Sequence, residues 1–175
     1  MRSRPSSSSS EGPESEGCFE SVRRVLDHIG TNWTVAGALA ALEYRATKRT
    51  TTDLDILVAW HPELVQELVA AGFDVRVFED DGEPHLLRTS SAICTVDFIV
   101  AGTEYQHLAI ERARNHVLTV EDVLIHKLIS WRPRDRDDVR SILSTGLAFD
   151  GEFVSHWARE WDVAARWREA QSWSA

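Results

Sequence analysis

The stretch Arg49-Thr-Thr-Thr-Asp53-Leu-Asp55-Ile-Leu-Val58 places two carboxylates at the mouth of an apolar, β-branched run. In a strand, successive side chains alternate between faces, so Asp53, Asp55 and Leu57 share one face while Leu54, Ile56 and Val58 share the other. Two carboxylates that close repel each other, and each loses hydration beside a core, unless a cation lies between them. A hard divalent ion with a preference for oxygen, Mg²⁺ above all, suits that position. A third acid, Asp97, interrupts Ile93–Val100, the most apolar strand-like run in the chain. Its neighbours Val96 and Phe98 face away from it, so Asp97 joins the same cluster if the two strands pair. Three converging carboxylates can hold two metal ions roughly 3.5–4 Å apart, a spacing that steadies both the attacking and the leaving oxygen of an in-line phosphoryl displacement. A bare D-x-D is common, and by itself reads as a strand-entry turn residue followed by a solvated edge. The surroundings decide between the two.

Upstream, Trp33–Gly37 reads as a short strand meeting a glycine, and Ala38–Tyr44 as a helix that starts directly after it. That corner aims backbone N–H groups and the positive end of a helix dipole at the sheet edge where the acids sit, an arrangement that suits a triphosphate. A glycine chosen only for a tight strand-to-helix turn explains the same residues equally well.

Further out, Cys18–Ile29 carries apolar residues at helical spacing, stopped by Gly30. His61-Pro62 opens a helix that Gly72 closes. Phe73–Glu79 alternates as a strand, Asp80–Pro84 is a turn, and His85–Arg88 continues as a second strand. Beyond Gly102 the pattern becomes helical: Leu118–Trp131 with Thr119 as N-cap, then Asp135–Gly146, then Phe149–Trp161 as the last helix. The expected architecture is α+β: a mixed sheet with helices packed on it and a C-terminal helical cap. Residues 1–17 are Ser, Gly, Pro and Glu with no apolar segment and are expected to be a disordered tail, with a core over 18–115 and a helical region over 116–175.

Composition narrows the function classes. The 175 residues carry a net charge of -9, so bulk phosphate attraction does not hold this chain to nucleic acid. No apolar run is long enough to span a bilayer. Two cysteines, Cys18 and Cys94, exclude a disulfide framework or a thiolate zinc cluster and point to a reducing, cytoplasmic setting.

Taken together, Val-Ala-Gly37-Ala-Leu-Ala, Arg49-Thr-Thr-Thr-Asp53-Leu-Asp55 and Val-Asp97-Phe-Ile-Val resemble the polymerase-β-type nucleotidyltransferase superfamily, whose pattern is G-[GS], D-x-[DE] and a later hydrophobic-D-hydrophobic strand. Arg49-x-Thr51-x-Asp53-x-Asp55 looks like the abortive-infection AbiEii-type toxins among small bacterial nucleotidyltransferases. Glu121–Trp131, followed by Arg132-Pro-Arg134-Asp135-Arg-Asp-Asp138-Val, resembles that group's lysine-bearing helix and its [KR]-D-x-x-D-[IV] motif. The resemblance implies an enzyme that moves a nucleoside monophosphate from an NTP to an acceptor hydroxyl on tRNA or other RNA, protein or a small molecule. It also implies a toxin role with a cognate antitoxin. By the same carry-over, Asp53, Asp55 and Asp97 would bind two Mg²⁺ ions, and Asp97 would help activate the hydroxyl. Gly37 and the Ala38 amide would hold triphosphate oxygens. Arg49, Thr51, Lys127, Arg134, Asp135 and Asp138 would complete the nucleotide site. Ala38 departs from the family pattern, since it offers no hydroxyl where Gly or Ser is usual.

Each of these residues has a plainer reading. Lys127 could simply flank the apolar face of Val123, Leu124 and Leu128. Glu121 and Asp122 read as first-turn acids that favour the helix dipole. Arg132, Arg134 and Arg136 alternate with acids, as solvated, self-paired faces do, and only Arg134 is kept from the motif. His126 reads as a helix-surface residue, and Phe153, Trp157 and Trp161 as a packing stripe rather than a base-stacking platform. Two other functions fit the residues: a degenerate nucleotidyltransferase fold that binds nucleotide or partner without turnover, and a metal-dependent nuclease that needs no NTP.

Overall fold

The computed structural model describes residues 13–48, 50–51, 53–92 and 94–174. Helix α1 (Pro13–Ile29) leads into β1 (Trp33–Val35), α2 (Gly37–Leu42), β2 (Leu54–Val58) and α3 (Leu64–Ala70). The hairpin β3 (Asp74–Asp80) and β4 (Glu83–Ser90) precedes β5 (Thr95–Val100), after which the chain is helical: α4 (Glu104–Arg112), α5 (Val120–Ser130), α6 (Pro133–Leu143), α7 (Gly151–Glu160) and α8 (Ala164–Gln171).

The strands form one five-stranded mixed sheet in the order β1-β2-β5-β4-β3. Only the central pair, β2 with β5, is parallel, and the other pairs run antiparallel. Parallel strands need cover on both faces. Accordingly Leu54, Ile56, Leu57 and Val58 of β2 and Val96, Phe98 and Val100 of β5 are all buried. Helices α2 and α4 pack on β2, while α5 holds α6 and α7. The β3–β4 reversal is a two-residue loop in which Asp81 and Gly82 both take positive φ (49° and 80°), the backbone that an Asp-Gly pair supplies in a hairpin turn.

Several expectations change. Helix α1 starts at Pro13, so residues 13–17, expected within a disordered tail, are helical, while residues 1–12 lie outside the described residues. Phe149–Trp161 does not hold the last helix. Asp162, at φ 53°, follows the end of α7 and α8 comes after it, a segment that buries only Trp167 and Ala170 and so shows little apolar periodicity. Cys18 and Cys94 are joined in a disulfide with a Cα–Cα distance of 6.1 Å, tying α1 to the start of β5. That bond withdraws the inference of a reducing compartment from cysteine usage. Among the described residues no helix is long and apolar enough to cross a membrane.

Two polar residues of α5 sit deeper than expected. Asp122 is buried and accepts hydrogen bonds from the Tyr105 hydroxyl (3.0 Å), Arg112 Nε (3.1 Å) and the Thr119 hydroxyl (2.7 Å), which makes it a bolt between α4 and α5 rather than a surface dipole partner. His126 is partly buried against the Tyr105 ring, 5.8 Å between centroids, and burial pushes its pKa down to about 4. The aromatic stripe of α7 packs inward as expected: Trp157 and Trp161 lie 4.6 and 6.0 Å from Tyr105, centroid to centroid.

Candidate active site

Strand parity and register build the centre of the site. Asp55 of β2 stands directly beside Asp97 of the parallel strand β5, and Arg88 of β4 stands directly beside Asp97 on its other side. The three side chains form one row across the sheet. Arg88 grips Asp97 with both arms of its guanidinium: Nε donates to Oδ1 at 2.9 Å and Nη2 to Oδ2 at 2.7 Å. Asp53 lies just ahead of β2, exposed, and its N–H donates to the Thr51 hydroxyl at 3.4 Å.

The glycine corner closes onto this row. Gly37 adopts φ +60°, and a Cβ placed there would stand 1.8 Å from Asp55 Oδ2. No other residue type fits, so the glycine is required by close approach to a carboxylate as well as by backbone conformation. The Ala38 N–H donates to the Asp55 carboxylate, while the Ala36 N–H donates to the Asp55 carbonyl at 2.9 Å. The corner amide expected to hold a triphosphate oxygen therefore rests on Asp55. Burial raises the Asp55 pKa, and the charges of Asp97 and Asp53 raise it further, against the opposing pull of Lys127 and the Ala38 amide.

A second charged group stands behind the row. Lys127 on α5 is buried, with its Nζ 3.0 Å from Asp135 Oδ1 and 2.8 Å from Asp138 Oδ2 of α6. Arg132 joins through its Nε to Asp135 Oδ2 at 2.7 Å, and Arg45 from beyond α2 pairs with Asp138. Burial alone would raise the Asp135 pKa, but the hydrogen bonds from Arg132 and Lys127 hold it below the ordinary carboxyl value. The Lys127 charge reaches Asp55, which places this cluster beside the carboxylate row.

Of the residues singled out from the sequence, Gly37, Ala38, Asp53, Asp55 and Asp97 lie together around the start of β2 with Thr51, and Lys127, Asp135 and Asp138 form the adjoining cluster. Arg134 is exposed, and among the described residues no hydrogen bond or ion pair ties it to the others. Arg49 lies outside the described residues. Three participants went unread. Arg88 carries no sequence signal because its role depends on β4–β5 register, Arg45 depends on a contact across 93 positions, and Arg132 sits in an alternating run that reads as a solvated face.

Among the described residues no three His, Cys, Asp or Glu side chains are gathered as metal ligands. The donor chemistry nonetheless fits a hard divalent cation. Asp55 and Asp97 are neighbouring oxygen donors, and crowding of Asp55 by two further carboxylates is the imbalance a cation relieves.

The fold has solved counterparts. The antibiotic-resistance factor ANT(2'')-Ia matches in its solution structure at a TM-score of 0.53 and 14% identity, covering 89% of this chain and 92% of that one. A putative nucleotidyltransferase from H. pylori matches at 0.53 and 13% identity over 87% of this chain and 77% of that one. The chain has a nucleotidyltransferase fold. A crystal structure of ANT(2'')-Ia with adenylyl-2''-tobramycin matches at 0.53 and 15% identity over 86% of this chain and 97% of that one. An antigenic nucleotidyltransferase-like protein from Paracoccidioides brasiliensis matches at 0.51 and 14% identity over 92% of each chain. No family model matches the chain, and no curated relative matches it either. At these identities the nucleotidyltransferase likeness is one of fold.

Proposed function

We propose that this chain is a metal-dependent nucleotidyltransferase that moves a nucleoside monophosphate from an NTP to an acceptor hydroxyl. The observation that carries the reading is the pairing of Asp55 with Asp97 on adjacent parallel strands, under a Gly37 corner that admits no side chain. The acceptor oxygen forms a bond to the α-phosphorus, the bond from that phosphorus to the bridging oxygen breaks, and pyrophosphate leaves. Asp97 takes the hydroxyl proton once its carboxylate is free. Asp53, Asp55 and Asp97 are the residues that would hold Mg²⁺, which when bound supplies neutralisation of phosphate charge. Lys127 and Arg132 place positive charge behind the row, where it favours the triphosphate.

Net charge bears on the acceptor. A net charge of -9 disfavours a long nucleic acid, so a small molecule or a protein hydroxyl ranks ahead of tRNA. ANT(2'')-Ia, a solved counterpart of this fold, is seen in complex with adenylyl-2''-tobramycin, a modified small molecule. A toxin role with an antitoxin partner rests on the Arg49–Asp55 motif alone. A second reading, a binding module without turnover, draws on Ala38, whose amide is held by Asp55 and which offers no hydroxyl.

The test is incubation with each NTP labelled at the α-phosphate, Mg²⁺, and separate pools of small metabolites, protein and RNA, with an Asp55→Asn protein alongside. Label transferred by the wild type and lost in the variant is the expected outcome, and the labelled pool names the acceptor. Nucleotide binding without transfer in any pool would favour the binding module.

A further inference from the structure

The Arg88–Asp97 pair stands apart from the other ion pairs of the site. Lys127, Asp135 and Asp138 are buried and mutually engaged, so none can leave without exposing an uncompensated charge. It is the acid that differs: Arg88 is 56% exposed, much as Arg132 is at 55%, but Asp97 is 25% exposed where Asp135 is fully buried, and no other ion-pair partner is described for Arg88 or Asp97. The fork occupies both oxygens of the one carboxylate that the proposed chemistry needs open. It can also swing into water at little cost, because a half-exposed arginine recovers its hydration there.

We propose that Arg88 is a latch on Asp97: in the empty protein its guanidinium takes both carboxylate oxygens, and it must release them before Asp97 could join Asp55 in holding a divalent ion. Arg88 thus acts as a positioning residue, through Asp97. A guanidinium and a divalent ion compete for the same lone pairs, and the fixed positive charge also repels an ion arriving at the neighbouring oxygens. The latch keeps the free ion out and favours its entry together with the polyanionic nucleotide, whose phosphates offset both charges. This inference rests on the proposed function.

The experiment is titration of the nucleotide-free protein with Mn²⁺, following the free ion by electron paramagnetic resonance, for the wild type, Arg88→Gln, Arg88→Lys and Asp97→Asn. Arg88→Gln is expected to bind Mn²⁺ roughly three- to tenfold more tightly than the wild type, the scale of one partly exposed, bidentate ion pair. Arg88→Lys keeps the charge without the fork and is expected to fall between the two. It also stands in should the glutamine variant not fold. Asp97→Asn is expected to lose the site. Wild-type binding that stays equal or weakens in both Arg88 variants would overturn the latch and leave the metal reading standing. Binding that survives unchanged in Asp97→Asn would remove the metal reading and the latch together, and none in any of the four proteins would overturn the latch.

Discussion

Two groups of carboxylates sit side by side in this molecule, and the fold treats them differently. On α6, Asp135 and Asp138 are buried, but each is met by Lys127 and by an arginine, Arg132 or Arg45. On the central strands, Asp53, Asp55 and Asp97 crowd together with one arginine, Arg88, among them, and Asp97 itself is partly open to solvent. Asp135 is held below the ordinary carboxyl pKa, and Asp55 is driven above it. Acids matched with cations brace a structure. Acids left in excess, beside a glycine corner that nothing else can occupy, cost the fold stability, and under the proposed function a ligand offsets that cost.

The matched group should be the more damaging to disturb. Lys127→Met removes the cation shared by two buried acids and is expected to cost roughly 3–5 kcal/mol in denaturant unfolding. A loss below about 1 kcal/mol would show that the two arginines suffice. Next comes Gly37→Ala, which must either clash with Asp55 Oδ2 or displace it. A cost of about 2–4 kcal/mol and loss of NTP transfer are expected, read by thermal melts and label transfer.

The excess group should respond in the opposite direction. Asp55→Asn removes a crowded charge and is expected to raise stability at neutral pH by roughly 0.5–2 kcal/mol while abolishing transfer. A raised folded-state pKa means that the folded protein binds more protons than the unfolded one between the two pKa values, so ionised Asp55 lowers stability as pH rises through that window. The gain of the asparagine variant should therefore shrink as pH falls into the carboxyl range. Asp135→Asn should do the reverse: the stability due to its lowered pKa is present above the unfolded value and is lost as pH falls through the folded one. The smallest contrast is between two arginines of one run. Arg132→Ala should cost about 1 kcal/mol through Asp135, and Arg134→Ala under about 0.5 kcal/mol, in the same unfolding measurement.

Local patterns made much of the fold legible. The branched runs of β2 and β5, the Asp-Gly hairpin turn and the Thr119 cap, whose hydroxyl accepts from the Asp122 N–H, are each set by neighbours in sequence. Strand parity put Asp97 on the face away from Val96 and Phe98, and the β2–β5 register then set it beside Asp55. What escaped depends on contacts far apart in the chain. The Cys18–Cys94 bond spans 76 positions, Arg45 meets Asp138 across 93, and Arg88 meets Asp97 only through β4–β5 register. Helix α8 escaped for another reason: it buries two side chains in eight residues and leaves little periodicity to read.

The most direct measurement of whether the acids of β2 and β5 await a cation is a carboxyl-carbon NMR titration of Asp55 and Asp135, with and without Mg²⁺ and a nonhydrolysable NTP. Asp55 should titrate above the ordinary aspartate value in the free protein and drop sharply when both ligands are present, with Asp135 low throughout. An Asp55 that titrates at or below the ordinary value and does not respond to Mg²⁺ and nucleotide would contradict the account.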